Sequence, residues 1–179
     1  LGAQAVGESG VGRRIDVIAT AIQMKATVFD LEDAELCYAP QYGAAKDPVN
    51  LAGMIAANLL RGDAELAPWS DLGSPDSFVL DVREPHEFRA GSIPDSVNIP
   101  LGQLRTRMNE LPPAKKIWVS CGIGQRAYYA CRILTQHGFD ASNLSGGYST
   151  YRVLYPGIKR ETSASLLANS KPLTESLPK

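Results

Sequence analysis

The chain has 179 residues, 44% of them hydrophobic, so it can bury one core, or one small domain with part of another. Its net charge is −1, no segment is strongly basic, no signal peptide is visible and no apolar run reaches a membrane span of about 18 residues, which argues against nucleic-acid binding and membrane insertion. Three widely spaced cysteines, without CxxC spacing or paired histidines, exclude a disulfide framework and a metal site and favour free thiols in the cytoplasm.

The first segment covers residues 1–62. Leu1 to Gly7 is typical of a strand that runs into a loop, and the missing initiator Met leads us to expect more protein upstream. Isoleucines spaced i, i+3 and i+7 predict a helix from Arg13 to Lys25. Asp47 followed by proline is typical of a helix N-cap and first position, and this second helix should end at Gly62. These few elements make a poor independent domain.

The second segment, residues 63–155, alternates short apolar strands with helices. This order predicts an α/β fold around a mainly parallel sheet. The tail, residues 156–179, is rich in Ser, Leu, Lys and Pro without periodicity, and we expect it to be extended or disordered. The predicted strands are 78–82, 97–99, 117–120 and 141–144, and the predicted helices are 85–89, 101–111 and one that ends at His137.

The stretch from Cys121 to Arg126 carries the most chemistry. The strand before it delivers Cys121 to the sheet edge, where open α/β sheets bind ligands, and a helix begins about five residues later. Gly122 and Gly124 allow a tight loop whose N–H groups point inward. The helix N-terminus and the arginine add positive charge, which favours a thiolate or an anionic persulfide on Cys121. The alternative, a cysteine that only packs at a strand end, needs no such loop.

The nearest chemical alternative is a cysteine phosphatase. Phosphatase loops are typically one residue longer between cysteine and arginine, which suits a tetrahedral phosphate. Here four residues intervene, Gly122, Ile123, Gly124 and Gln125, so the loop should make a smaller cradle that matches one terminal sulfur. Phosphatase activity stays open as a third hypothesis.

Four blocks of the second segment closely resemble a rhodanese homology domain: residues 80–88, 91–100, 121–126 and 146–148. The resemblance implies a doubly wound α/β domain in which Cys121 accepts sulfane sulfur and the backbone from Gly122 to Arg126 cradles it. Ser92 stands where His is common, and Tyr151 where Trp often follows the double glycine. These departures lie outside the loop and concern local packing only.

Asp81 and Arg83 match the acidic and basic pair that the family carries near its site. We interpret them as groups that orient the site, with a salt bridge at a strand end as the alternative. The remaining cysteines receive structural interpretations, because Cys131 lies on a predicted buried helix face and Cys37 adjoins a tyrosine. The two histidines receive no catalytic role.

The first segment also resembles a known protein, through residues 2–7, 14–17, 36–40 and 45–50. These stretches are similar to the end of a pyridine nucleotide–disulfide oxidoreductase dimerisation domain, in the coenzyme A-disulfide or persulfide reductase branch. The resemblance implies a partial α+β dimerisation segment, a homodimer, and FAD, NAD(P)H and a redox cysteine upstream. No cofactor is expected in this chain, since it has no GxGxxG turn. Tyr38 and Tyr42 are candidates to reach the active site of a partner subunit, or they pack in its interface.

The leading hypothesis is therefore a sulfurtransferase that forms a persulfide on Cys121 within a larger flavin-dependent reductase. Its expected partners are a donor such as thiosulfate or a CoA or glutathione persulfide, a thiol acceptor, and the upstream flavin domains. The alternative is a rhodanese-like binding or regulatory module without catalysis, although most silent versions lack the cysteine.

Overall fold

A computed structural model describes residues 1–156 of the chain, which form two compact units, Leu1–Glu65 and a second that begins at Leu66. The tail expected to be extended or disordered lies outside the described residues, apart from its first residue. No helix within residues 1–156 is long and apolar enough to cross a lipid bilayer.

The first unit contains three helices. Helix α2 was not predicted, because it is shorter than two turns and its start signal is local: the Thr27 hydroxyl accepts from Asp30 N–H, and the Asp30 carboxylate accepts from Thr27 N–H at 2.6 Å. Asn50 ties α2 to α3 by donating to the carbonyls of Leu31 and Ala34 at 3.1 and 2.8 Å. The helices are α1 (Val11–Gln23), α2 (Val28–Asp33) and α3 (Pro48–Arg61).

The start and end predicted for α3 are confirmed. The Asp47 side chain accepts from Val49 N–H at 3.1 Å, the proline occupies the first turn, and Gly62 ends the helix with a left-handed φ of 73°. Asp47 also pairs with Arg14 at 3.0 Å, and the hydrogen bonds to Arg14 and Val49 hold its pKa below the usual value despite its burial. The helix predicted near Arg13 is confirmed as α1, displaced by two residues at each end.

The strand expected over Leu1–Gly7 is wrong. These residues form no regular element and are all exposed. A strand needs a neighbour for its backbone N–H and C=O groups, and the first unit has no strand within residues 1–65 that could pair with it. The described part of the first unit is therefore helical.

The second unit is built on a five-stranded, all-parallel sheet with strand order β1-β5-β4-β2-β3. The predicted α/β fold is confirmed. The strands are β1 (Leu66–Ala67), β2 (Ser77–Asp81), β3 (Val97–Asn98), β4 (Lys116–Ser120) and β5 (Ala141–Leu144). The helices are α4 (Pro85–Ala90), α5 (Leu104–Arg107), α6 (Gln125–Gln136) and α7 (Gly147–Leu154), with 3₁₀ turns at Trp69–Asp71, Leu101–Gln103 and Met108–Glu110.

Apolar side chains leave both faces of the sheet, so the sheet is covered on each side. In β4, Ile117 and Val119 join a core that includes residues of α5 and α6, whereas Trp118 joins a core on the opposite face that includes α7. The predicted helix 101–111 is divided into α5 and the two flanking 3₁₀ turns. Strand β1 and helix α7 were not predicted.

Candidate active site

Cys121 directly follows β4 and lies in the loop that leads into α6. It is almost fully buried, with 1% of its surface exposed. Its Sγ accepts a hydrogen bond from the backbone N–H of Gly124 at 3.1 Å. The sulfur is therefore already the acceptor of an inward-pointing amide, as expected for a loop that stabilises a thiolate or persulfide anion.

Gly124 gives the loop its shape. Its φ of 105° lies in the left-handed region, and a Cβ there would stand 3.4 Å from the backbone nitrogen of Gly146. Helix α6 begins at the next residue, and its first N–H groups have no carbonyl partner within the helix. The loop therefore sets Cys121 beside the positive end of a helix.

The start of α7 holds the outer side of the same loop. Tyr148 N–H donates to the carbonyl of Cys121 at 2.7 Å, and Ser149 N–H donates to the carbonyl of Gly122 at 3.0 Å. Gly147 has φ 56°, and any Cβ on it would collide with the Cys121 carbonyl. These contacts direct two loop carbonyls toward α7 and leave the opposite side of the loop to N–H groups.

Asn143 holds the third carbonyl of the loop from below. Its side-chain amide donates to the carbonyl of Gly124 at 3.1 Å, so it fixes the peptide that follows the donor to Cys121. The residue is buried in β5, and its Oδ1 has no hydrogen-bond partner among the described residues. The side-chain N–H of Asn143 thus positions the loop, while the buried Oδ1 of the same side chain accepts no hydrogen bond from the described residues.

Arg126 lies in the first turn of α6 and is paired with Glu87 of α4. Its two terminal nitrogens donate to the two carboxylate oxygens at 2.6 and 2.7 Å. Its Nη2 stands 3.4 Å from where a Cβ on Gly122 would lie, so the guanidinium folds back over the loop. The hydrogen bonds to Arg126 lower the pKa of Glu87 to about 2, and the same pair raises the pKa of Arg126.

Asp81 and Arg83 form a buried salt bridge at the end of β2, with Nη2 and Oδ2 2.7 Å apart. Arg83 also donates to the carbonyl of Gly91 at 2.7 Å and lies 4.3 Å above the ring of Tyr148. The pair therefore reaches the loop through Tyr148, whose N–H is bonded to Cys121.

The other sequence-predicted residues fall into different places. Ile123 points outward with 71% of its surface exposed, and Gln125 is exposed beside Tyr129. Tyr38 and Tyr42 are exposed within the first unit.

The two other cysteines are not part of the loop. Cys131 belongs to the buried core as predicted. Cys37 is exposed and lines a cavity of about 170 Å³ in the first unit together with Arg13, Arg14 and Asp47. Within residues 1–156, no group of acidic, His or Cys side chains is arranged to hold a metal ion.

Sequence reasoning missed four residues that shape the site: Glu87, Asn143, Gly147 and Tyr148. Glu87, Gly147 and Tyr148 lie in the blocks that resemble the rhodanese family, so the sequence marked these positions but did not indicate what each side chain does. Asn143 stands three residues before the double glycine, and nothing in the sequence marked it as a site residue.

Comparison with known proteins supports a specific family. The sequence profile described as Rhodanese-like domain matches residues 64–153. A sulfurtransferase from Allochromatium vinosum is 37% identical over 73 residues, which are 40% of this chain and 68% of that protein. A coenzyme A disulfide reductase from Staphylococcus haemolyticus is 44% identical over 59 residues, which are 33% of this chain and 13% of the reductase.

Two solved structures are similar over most of the chain. Reduced CoADR-RHD from Bacillus anthracis matches with a TM-score of 0.79 and 43% identity, covering 83% of this chain and 27% of that one. The NAD-dependent persulfide reductase from A. fulgidus matches with a TM-score of 0.72 and 38% identity, covering 81% of this chain and 26% of that one. The chain thus spans about a quarter of the length of either protein.

Proposed function

This chain belongs to the rhodanese-like domain family, and we propose that it transfers sulfane sulfur through a persulfide on Cys121. The observation that carries the proposal is the hydrogen bond from Gly124 N–H to the Cys121 sulfur at 3.1 Å. A cysteine that only filled space at a strand end would have no use for an amide aimed at its sulfur from the start of a helix.

The reaction has two steps. The Cys121 thiolate attacks the outer sulfur of a donor such as thiosulfate, a new S–S bond forms, the donor's S–S bond breaks, and sulfite leaves with the bonding electron pair. The thiolate of an acceptor then attacks the outer sulfur of the persulfide, and Cys121 leaves as a thiolate. No net oxidant or reductant is consumed.

The loop backbone stabilises the anion in both steps. The N–H groups between Gly122 and Arg126 supply partial positive charge where the outer sulfur becomes negative. Helix α7 keeps the loop carbonyls turned away from that side through its bonds to Cys121 and Gly122. Asp81 and Arg83 orient the site through the ring of Tyr148 rather than by touching the sulfur.

The proposal extends to a larger protein. Similarity to a coenzyme A disulfide reductase and an NAD-dependent persulfide reductase supports a sulfurtransferase joined to reductase domains. We propose that these are flavin domains and that the full protein is a cytoplasmic homodimer. FAD and NAD(P)H would be bound outside this chain, which has no GxGxxG turn. Cys121 would pass sulfur from thiosulfate or a CoA or glutathione persulfide to a thiol acceptor, an upstream redox cysteine in the full protein. Tyr38 and Tyr42 would face the partner subunit.

Mass spectrometry of the whole chain tests the proposal. After exposure to thiosulfate or glutathione persulfide, we expect a mass gain of about 32 Da, one sulfur atom, that cyanide or a thiol removes. The gain should map to Cys121 and disappear in Cys121→Ser, while the matched variant Cys131→Ser keeps it. A gain of the same size that survives Cys121→Ser would overturn the assignment.

Phosphate esters separate sulfur transfer from the phosphatase alternative. The four-residue spacing between Cys121 and Arg126 predicts no hydrolysis of an aryl phosphate or phosphotyrosine under conditions in which the persulfide forms. Turnover of either ester that is lost in Cys121→Ser would favour a phosphatase.

A further inference from the structure

Glu87 of α4 neutralises the positive charge that Arg126 brings to the Cys121 loop. Arg126 folds back over Gly122, next to Cys121, and carries the full positive charge that the loop brings to the site. Glu87 binds both terminal nitrogens of this guanidinium, at 2.6 and 2.7 Å. The two side chains remain partly exposed, 36% for Arg126 and 30% for Glu87, so a dissolved donor can reach the pair.

Glu87 is held in place and stays ionised. Its Oε2 also accepts from the backbone N–H of Glu84 at 3.0 Å, which fixes the carboxylate at the start of α4. Because its pKa is lowered to about 2, it carries a full negative charge at neutral pH. A small dianion therefore meets a neutral pair instead of a free guanidinium.

We propose that Glu87 determines donor specificity by selecting against donors with two negative charges at the reacting end, such as thiosulfate, in favour of donors with one, an inference that rests on sulfur transfer at Cys121. Thiosulfate has two negative charges. A thiosulfonate anion has one, and so does the persulfide group at the reacting end of a thiol-derived donor. Coulomb repulsion by a fixed carboxylate scales with the charge of the donor, so thiosulfate loses more affinity and rate than a monoanion.

Two donors with the same reacting group isolate this effect. Thiosulfate transfers its outer sulfur to the Cys121 thiolate and leaves as sulfite, whereas methanethiosulfonate transfers its outer sulfur and leaves as methanesulfinate. Each reaction forms one S–S bond to Cys121 and breaks one in the donor, with the electron pair departing on the leaving group. The two donors therefore differ mainly in net charge.

The experiment measures kcat/KM for both donors with the whole chain and its variants. In Glu87→Gln we expect kcat/KM to rise about threefold for methanethiosulfonate and about tenfold for thiosulfate, so that the ratio between donors shifts about threefold. The shift should shrink in 0.5 M salt, because exposed charges are screened within about 4–5 Å there. Glu87→Asp keeps the charge and should keep the wild-type ratio.

Glu110→Gln is the matched control. Glu110 forms a comparable pair with Arg107 at 2.6 Å in the same unit, so its substitution removes the same charge and the same kind of bond elsewhere. We expect it to leave the donor ratio unchanged. If the Glu87 pair only tethers α4 to α6, Glu87→Gln will alter both donors by the same factor or lower both, and the inference is overturned.

The two levels of the proposal fail differently. Wild-type chain that forms no persulfide with either donor would overturn sulfur transfer at Cys121 and the role of Glu87 with it. Persulfide formation with an unchanged donor ratio in Glu87→Gln, or an equal shift in Glu110→Gln, would overturn the role of Glu87 alone.

Discussion

Tyr148 N–H donates a hydrogen bond of 2.7 Å to the carbonyl of Cys121, although Tyr148 lies in α7 and Cys121 in the loop before α6. The bond couples the peptide of Cys121 to the first turn of α7. The neighbouring Ser149 N–H donates to the Gly122 carbonyl in the same way. These N–H groups in the first turn of α7 therefore bind the Cys121 loop rather than water or an anion. The conformation of the loop therefore depends on hydrogen bonds from α7 as well as on its own glycines.

Gly147→Ala should abolish persulfide formation. Its Cβ would collide with the Cys121 carbonyl, and φ 56° is unfavourable for alanine, so the contact that supports the loop cannot survive. The comparison variant is Gly138→Ala, which has φ 84° but no atom within 4 Å of the new Cβ. We expect Gly138→Ala to lose about 1 kcal/mol of unfolding free energy and keep its persulfide, as measured by urea unfolding and intact-mass analysis. Equal persulfide yields in both variants would contradict the role of Gly147.

Asn143→Leu should slow persulfide formation about fivefold while changing the free energy of unfolding little. The substitution removes the amide that donates to Gly124, a bond worth about 1 kcal/mol, but also removes an Oδ1 that has no partner among the described residues. Asn143→Asp should be slower still, because a carboxylate would face the Gly124 carbonyl. Stopped-flow or quenched mass measurements give the rates, and an Asp variant faster than the Leu variant would refute this geometry.

Arg83→Met should destabilise the chain by about 3–5 kcal/mol, because Asp81 would remain buried without its partner. The double variant Asp81→Leu/Arg83→Met should recover most of this loss in urea unfolding. Its persulfide yield should stay below that of the wild type, because the Tyr148 ring loses the guanidinium 4.3 Å above it. If a stable double variant forms as much persulfide as the wild type, Asp81 and Arg83 act only as a salt bridge at the end of the strand.

The contribution of Glu87 to stability should depend on pH. Its pKa in the folded protein is lowered from 4.5 to about 2, so the stabilisation is present above pH 4.5 and is lost as pH falls toward 2. Since both partners are about one-third exposed, we expect about 1 kcal/mol. The difference in unfolding free energy between wild type and Glu87→Gln should therefore be largest near pH 7 and shrink by pH 3. A difference that stays constant or grows in acid would exclude this origin.

The local parts of the fold could be predicted from the sequence. Asp47, the proline after it and Gly62 set the ends of α3 through contacts within a few residues, and the structure confirms them. The run from Ile117 to Ser120 is apolar enough to be identified as a buried strand, which the structure confirms as part of β4, and the composition of the loop after it points to an anion.

The parts that depend on distant partners could not be predicted. Strand β1 has two residues and exists because it pairs with β5, so no periodicity marks it. Asn143 lies beside Val119 in the parallel register, and this register brings it under the loop. Glu87 and Arg126 are 39 residues apart and meet only once α4 and α6 are both placed. Leu1–Gly7 resembled a strand locally but lacks a neighbour in the described chain.

The second unit also closes on itself at its edge. Trp69, just after β1, donates its indole N–H to the carbonyl of Ser145 at 3.0 Å, and Tyr155 donates its hydroxyl to the carbonyl of Trp69 at 3.0 Å. The described part of this unit thus begins and ends at neighbouring points, with the Cys121 loop held between internal elements. A module of this kind can be appended to, or inserted into, unrelated proteins without opening its sheet. The sulfur transfer proposed for Cys121 would therefore need only this one unit, whatever domains are joined to it.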